Sequence, residues 1–205
     1  MLLRKVVPCT LLMLFGTVPL SVSNTSHLQG VLTVSGPAQF KSAFSFVMRH
    51  EDPDLNGIMT VDQGGRTRFG VSEKAHPEAW QKGPPSFDDA LQLAQVEFWD
   101  RHRLAGVNSQ EVANYILDMI YNEGPAAIKL VQVALNDFEF VAVDGELGAQ
   151  TLAAINRQEP AAFLRALSQH RRLFYKRLAD ENSVNARWLP IWLQRAADGV
   201  PEPQA

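Results

Sequence analysis

Three side chains in the stretch "RHEDPDLNGIMTVDQGGRTRFGVS" have the types and the order that acid catalysis needs: Glu51, Asp62 and Thr67. Glu51 directly follows an apolar helical pattern, so we expect it at the C-terminal end of a helix and on its buried side. Burial and the negative end of the helix dipole both favour the protonated acid. Such a glutamic acid can donate a proton in glycoside hydrolysis. The alternative is a solvated glutamate at a frayed helix end.

The other two side chains lie around a glycine pair. Asp62 precedes Gly64 and Gly65, where the backbone can approach a ligand closely. A second carboxylate across a cleft can act as a general base or can stabilise an oxocarbenium-like transition state. The hydroxyl group of Thr67 can orient a water molecule. The alternatives are an Asx turn at Asp62 and ordinary β-propensity at Thr67.

Helical periodicity predicts the element that positions Glu51. One helical face collects Phe40, Ala43, Phe44, Val47 and Met48. Ser35 as a cap and Pro37 in the first turn predict where this helix starts. After Glu51 the turn signals Pro53, Asn56-Gly57 and Gly64-Gly65 end the helical pattern. The segments "IMTV" and "TRFGV" then predict a small hairpin between residues 56 and 71.

The sequence pattern predicts that the rest of the chain is mostly helical. Ser86 and Asp89 form a capping-box pattern at the start of one helix. A second helix is predicted over residues 111–122, and Gly124-Pro125 ends it. "AAIKLVQVALN" predicts another helix, "VAVDGELGAQTLAAI" a turn followed by a helix, and a long helix follows Pro160. The predicted fold class is therefore mainly α, with one small hairpin.

The N-terminus has the order of a secretory signal. Arg4 and Lys5 precede an apolar run from Val6 to Leu20, and small polar residues follow it. We expect cleavage after Ser23, a linker over residues 24–37, and an exported, periplasmic or secreted protein. The alternative is an uncleaved membrane anchor. Cys9 is the single cysteine and lies in the signal, so no disulfide is expected in the mature chain.

Composition and motifs argue against several classes of protein. The contents of hydrophobic residues, 46%, and of charged residues, 20%, are those of a globular protein, and the formal net charge of -3 argues against a nucleic-acid partner. The histidines show no ligand spacing, so we expect no metal, no other cofactor and no zinc peptidase. No G-x-S-x-G motif supports a serine hydrolase.

The element "DQGGRTRFGV", from Asp62 to Val71, resembles the D-x-G-G-x-T-x-[YF]-G-[IV] signature of the glycoside hydrolase family 108 muramidases. In that family the signature follows a glutamate at a helix end. The resemblance implies a lysozyme-like helical catalytic domain over residues 38–124. It also implies cleavage of the β-1,4 bond between N-acetylmuramic acid and N-acetylglucosamine. Glu51 would be the general acid, Asp62 and Thr67 would assist it, and Gly64 and Gly65 would contact substrate.

Further segments resemble the same family. "ILDMIYNEGPAAIKLVQVALN", "VDGELGAQTLAAI" and "WLQR" are similar to its helical peptidoglycan-binding-like region, which we place at residues 125–200. Asp118 and Asn122 lie one helical turn apart and are expected to face the groove and bind N-acetyl groups, or else to form a solvated helix face. Tyr121 and Trp99 are candidates for stacking on sugar rings, with core packing favoured for Trp99.

The expected partner is the glycan strand of peptidoglycan, together with an export machinery, and the protein is expected to be a monomer. A basic run at Arg171, Arg172, Lys176 and Arg177 could meet anionic wall polymer or could be a solvated helix face.

One departure from the family keeps a second class of function open. Asp52-Pro53-Asp54 stands where family members have Gly-Gly-Tyr or a similar sequence, and these acids would favour a protonated Glu51 if they lay close to it. The departure motivates a non-catalytic wall-binding protein as the alternative. A membrane-anchored structural protein is a third hypothesis.

Overall fold

The computed structural model describes residues 37–62 and 65–202, with only the backbone described at Asp62. The predicted signal, most of the predicted linker, the Ser35 cap and Gly64 lie outside the described residues. Within the described part, no helix is long and apolar enough to cross a membrane.

The described chain is mostly helical, as predicted. The α-helices are α1 (Phe40–Glu51), α2 (Phe87–Ala94), α3 (Gln110–Glu123), α4 (Ala126–Leu135), α5 (Ala149–Arg157), α6 (Pro160–Glu181), α7 (Ser183–Ala186) and α8 (Leu189–Arg195). Short 3-10 turns occur at Pro77–Trp80 and Leu104–Gly106, and a π-helical segment at Gln95–Asp100 continues α2.

The first helix confirms the predicted buried face, but it starts later than predicted. All five apolar residues of the predicted stripe are buried. Pro37 precedes the helix, and the N-cap is Gln39. The backbone N–H of Gln39 donates to Oε1 of Gln110 at 2.6 Å, and Nε2 of Gln110 donates back to the carbonyl of Gln39 at 3.0 Å. A contact with α3 therefore fixes where α1 begins, and local capping signals could not show it.

The predicted hairpin is part of a three-stranded antiparallel sheet. Its strands are β1 (Thr60–Asp62), β2 (Gly65–Arg68) and β3 (Val71–Ser72), in the order β1-β2-β3. Thr67 in the central strand pairs with Thr60 on one side and Ser72 on the other. Gly57, in the loop before β1, has a positive φ of 62°, and an added Cβ there would lie 2.4 Å from Cζ of Phe69. This position therefore requires glycine.

The capping box at the start of α2 is confirmed. The Ser86 hydroxyl accepts a hydrogen bond from the Asp89 backbone N–H at 3.1 Å, and the Asp89 carboxylate accepts one from the Ser86 backbone N–H at 2.8 Å. These two bonds satisfy otherwise unpaired groups of the first turn. The π-helical continuation was not predicted, and it buries Phe98 and Trp99.

One hydrophobic cluster runs through both halves of the described chain. It includes Phe44 of α1, Ile116 of α3, Ile128 of α4 and Phe163 of α6, all nearly inaccessible to solvent. A smaller cluster of Phe69, Val71, Trp80 and Ala90 lies under the sheet. The C-terminal helices therefore share a core with the helix that carries Glu51.

Candidate active site

Glu51 is the last residue of α1, as predicted, and its side chain is 7% exposed. Its surroundings differ from the prediction. Oε1 of Glu51 accepts a hydrogen bond from Nη1 of Arg195 at 2.8 Å, so the carboxyl group meets a guanidinium instead of an apolar wall.

Arg195, at the end of α8, is shared between two carboxylates. Its Nη2 lies 2.7 Å from Oδ1 of Asp118, and its Nε lies 3.1 Å from the same oxygen. Nη2 of Arg171, on α6, lies 2.8 Å from Oδ2 of Asp118 and 2.9 Å from Oε1 of Glu123. These five residues form a charge cluster of three acids and two arginines, contributed by four helices.

Asp118 corrects the sequence interpretation. Its side chain is fully buried, and the two arginines occupy both of its oxygens, so it faces neither a groove nor solvent. Burial alone would raise the pKa of Asp118, but Arg195 and Arg171 outweigh burial and lower it to about 2. In this structure Asp118 holds the two arginines and is not placed to bind an N-acetyl group.

At Glu123, unlike at Asp118, the effect of burial on the pKa outweighs the effect of the neighbouring charges. It is fully buried, and burial raises its pKa even though Arg171 and the hydroxyl group of Tyr175 act against that rise. The Tyr175 hydroxyl donates a short hydrogen bond to Oε1 of Glu123. Nδ2 of Asn122 donates to the same oxygen at 3.2 Å and to the Tyr175 hydroxyl at 2.5 Å. Asn122 thus borders the charge cluster, and its predicted contact with substrate stays a prediction.

Tyr121 also corrects the sequence interpretation. Its ring is 5% exposed and packs edge-on against Phe98, with 4.8 Å between ring centroids. An atom of the same ring lies 3.3 Å from where a Cβ on Gly70 would be. The ring is enclosed and therefore offers no face to a sugar. Trp99 is 3% exposed, which confirms the core packing favoured for it.

The sheet places Asp62, Gly65 and Thr67 on adjacent strands. The backbone of Asp62 in β1 pairs with Gly65 in β2. Gly65 has a φ of 90°, and among the described residues no atom beyond its chain neighbours lies within 4 Å of where its Cβ would be. Thr67 is half-buried in β2. The catalytic roles predicted for Asp62 and Thr67, and substrate contact at Gly65, stay predictions.

Asp52, the first residue of the Asp52-Pro53-Asp54 sequence that departs from the family pattern, organises the loop after α1. Oδ2 of Asp52 accepts a hydrogen bond from the backbone N–H of Gly57 at 2.7 Å, and Oδ1 accepts one from Asn56 at 3.3 Å. Asp54 is exposed. The Asp52 carboxylate is therefore occupied by its own loop, a local role that Asp commonly takes in turns.

Comparison with known families divides the chain at Gly124, where α3 ends. Residues 45–124 match the family model described as glycosyl hydrolase 108. Residues 126–197 match the family model described as predicted peptidoglycan domain. Residues 45–124 are therefore similar to the glycosyl hydrolase 108 family. The matches confirm the resemblance seen in the sequence, and they support a peptidoglycan hydrolase of the glycoside hydrolase class at the family level.

One solved structure supports the fold of this protein. "Structure of Brucella abortus SagA" is similar at 23% sequence identity with a TM-score of 0.58, covering 78% of this chain and 94% of that chain. The likeness confirms the predicted fold class, a lysozyme-like, mainly helical fold with a small sheet. No curated protein sequence matches this chain significantly.

The region that matches the peptidoglycan model completes the surroundings of Glu51. It supplies Arg171 and Arg195, and the sequence interpretation assigned neither of them to the site. Arg171 is fully buried, so it does not belong to the predicted solvated basic face, whereas Arg172, Lys176 and Arg177 are exposed. The one sequence signal for Arg195 was its position at the end of "WLQR".

Proposed function

We propose that this protein is an N-acetylmuramidase that cleaves the β-1,4 bond between N-acetylmuramic acid and N-acetylglucosamine in peptidoglycan. Glu51 is the proposed general acid. The observation that carries the proposal is the way this carboxyl group is held at the end of α1. Arg195 binds Oε1, and Oε2 makes no hydrogen bond to the described residues. Oε2 is thus the oxygen that can deliver a proton to the glycosidic oxygen.

Arg195 orients the carboxyl group of Glu51 and is itself held by a second carboxylate. Its Nη1 donates to Oε1 of Glu51 at 2.8 Å, and its Nη2 and Nε lie 2.7 Å and 3.1 Å from Oδ1 of Asp118. Asp118 thus fixes the guanidinium, and the guanidinium fixes one oxygen of Glu51. Asp62, assisted by Thr67, is proposed to activate water or to stabilise positive charge at the anomeric carbon.

A second candidate function is non-catalytic binding to cell walls. Two observations favour it: the guanidinium beside Glu51 and the Asp52-Pro53-Asp54 sequence after it. A binder would retain the fold and the affinity for glycan strands without releasing fragments.

A digestion assay on purified peptidoglycan separates the two functions. We expect the wild-type protein to release muropeptides with N-acetylmuramic acid at the reducing end, as identified by mass spectrometry. Glu51→Gln should reduce the rate by roughly 100-fold or more, the scale of a lost general acid. Glu181→Gln removes the same charge from an exposed glutamate of α6 and should leave the rate unchanged. Sedimentation with cell walls and no released fragments from the wild type would instead establish the binder.

Export is the second part of the proposal. The basic, apolar and small-polar order of residues 1–23 supports removal of this segment after Ser23. The intact mass of the protein recovered outside the cytoplasm should lack it. A retained segment would support the membrane-anchored alternative. Size-exclusion chromatography with light scattering should show a monomer.

A further inference from the structure

His76, Glu78 and Glu97 converge beside the sheet, away from the charge cluster. Nδ1 of His76 lies 3.6 Å from Oε1 of Glu78 and 3.6 Å from Oε2 of Glu97. The three ligand atoms lie within 4.8 Å of one another. His76 is buried, with 8% of its surface exposed, whereas the two glutamates reach solvent. The group therefore has a buried nitrogen ligand and two oxygen ligands on its open side.

The distances fit metal ligands better than hydrogen bonds. Both separations from His76 exceed the usual range for a hydrogen bond from nitrogen to oxygen, which is about 2.7 to 3.2 Å. Ligands around tetrahedral zinc, with bonds of about 2.0 to 2.2 Å, are separated from each other by roughly 3.3 to 3.6 Å. The two separations from His76, 3.6 Å each, lie at the upper end of that range.

The local charge also favours a cation. Two carboxylates that share a small volume repel each other, and a divalent cation removes that cost. Neither Glu78 nor Glu97 makes an ion pair with a lysine or arginine of the described residues. Glu97 belongs to the π-helical segment Gln95–Asp100, and such segments often occur at functional sites.

We propose that His76, Glu78 and Glu97 bind one zinc-type divalent cation, with water in the remaining position. The site links the turn that follows β3 to the segment that continues α2. The cation would therefore hold the sheet against the helices and stabilise the sheet that carries Thr67. Histidine spacing in the sequence gave no sign of it, because Glu97 reaches His76 only through the fold. This inference does not depend on the proposed hydrolase activity.

Isothermal titration of the full chain with zinc chloride tests the site, using protein purified without a histidine tag. We expect one zinc ion per chain for the wild type, loss of that binding in His76→Gln, and an affinity at least tenfold weaker in Glu97→Gln. His170→Gln is the control and should bind like the wild type. His170 also faces a carboxylate, but Nε2 lies 2.8 Å from Oδ2 of Asp137, an ordinary hydrogen bond.

Thermal unfolding gives a second readout. Zinc should raise the Tm of the wild type and of His170→Gln, because a ligand of the folded state stabilises it. It should not raise the Tm of His76→Gln. Circular dichroism without zinc should show that the variants are folded. If His76→Gln does not fold, Glu97→Gln, whose side chain is half-exposed, tests the site in its place. No saturable binding up to about 1 mM zinc, or unchanged binding in Glu97→Gln, would overturn the proposal.

Discussion

Asp118 and Glu123 are two buried acids on α3, and their surroundings shift their pKa values in opposite directions. The two arginines of the charge cluster bind both oxygens of Asp118, and its pKa falls to about 2. Burial dominates at Glu123 and raises its pKa. At neutral pH, the fold therefore stabilises the Asp118 carboxylate and opposes the Glu123 carboxylate.

This contrast predicts different costs for two matched substitutions. Asp118→Asn should lower the free energy of unfolding at pH 7 by about 3 to 5 kcal/mol, because it leaves two buried arginines short of a counter-charge. Glu123→Gln should cost less, because the amide avoids burying a charge and can still accept hydrogen bonds. Urea unfolding of both variants measures the difference. Equal costs, or a larger cost for Glu123→Gln, would contradict the assignment of charges.

The lowered pKa of Asp118 also predicts acid sensitivity. An aspartate whose pKa is about 2 in the fold and 3.8 as its ordinary value contributes stability that is fully present above pH 3.8 and is lost as the pH falls through about 2. That contribution is about 2 kcal/mol. The stability gap between the wild type and Asp118→Asn should narrow by this amount on acidification. Unfolding curves at a series of pH values check it, and a constant gap would contradict it.

The sequence pattern predicted the position of Glu51 correctly, but it did not predict the burial of Asp118 and Tyr121 on α3. Periodicity places Glu51 at the end of a helix with one buried face. The same reasoning gave Asp118 an open face, and Tyr121 was a candidate for stacking on sugar because of its ring, although most residues of α3 are buried. A helix enclosed by others has no solvent face to predict. Arg195 lies 144 positions from Glu51, and no local pattern links them.

At the scale of elements, local signals predicted most of the helices and the hairpin. The Ser86 capping box and the end of α3 at Gly124 were predicted because their chemistry is contained in a few neighbouring residues. The start of α1 was not predicted, because Gln110 of another helix sets it. The sequence did not predict the element boundaries that tertiary contacts set.

Gly57, before β1, and Gly65, in β2, provide a matched test of packing around the sheet. Both have positive φ, but a Cβ on Gly57 would lie 2.4 Å from the Phe69 ring, whereas a Cβ on Gly65 would meet no atom of the described residues within 4 Å beyond its chain neighbours. Gly65→Ala should cost about 1 to 2 kcal/mol for backbone strain alone. Gly57→Ala should cost about 1 to 3 kcal/mol more, because the ring must also move. Urea unfolding measures both, and similar costs would show that the Phe69 ring yields freely.

At the scale of the whole molecule, the two family regions form one core and share one charge cluster. Phe44 and Phe163 belong to the same hydrophobic cluster, although they lie in different regions. The hydroxyl groups of Tyr115 and Ser168 both donate to the carbonyl of Ala196, which follows α8. Polar and apolar contacts thus connect α3, α6 and the end of α8.

This arrangement predicts a single unfolding transition. Val47 in α1 and Leu167 in α6 are fully buried. Val47→Ala and Leu167→Ala should each shift the whole transition, with Leu167→Ala costing about 2 to 5 kcal/mol. Tryptophan fluorescence and far-ultraviolet circular dichroism should give coincident curves for each variant. Separate transitions, each moved by only one substitution, would show that the two regions unfold independently.

The contact between Arg195 and Glu51 has a consequence for folding. The two residues are 144 positions apart, so the guanidinium reaches the carboxyl group only after a long loop has closed. Closing so long a loop is slow relative to forming a helix. We therefore expect α1 to form before its last residue acquires the orientation that Arg195 gives it.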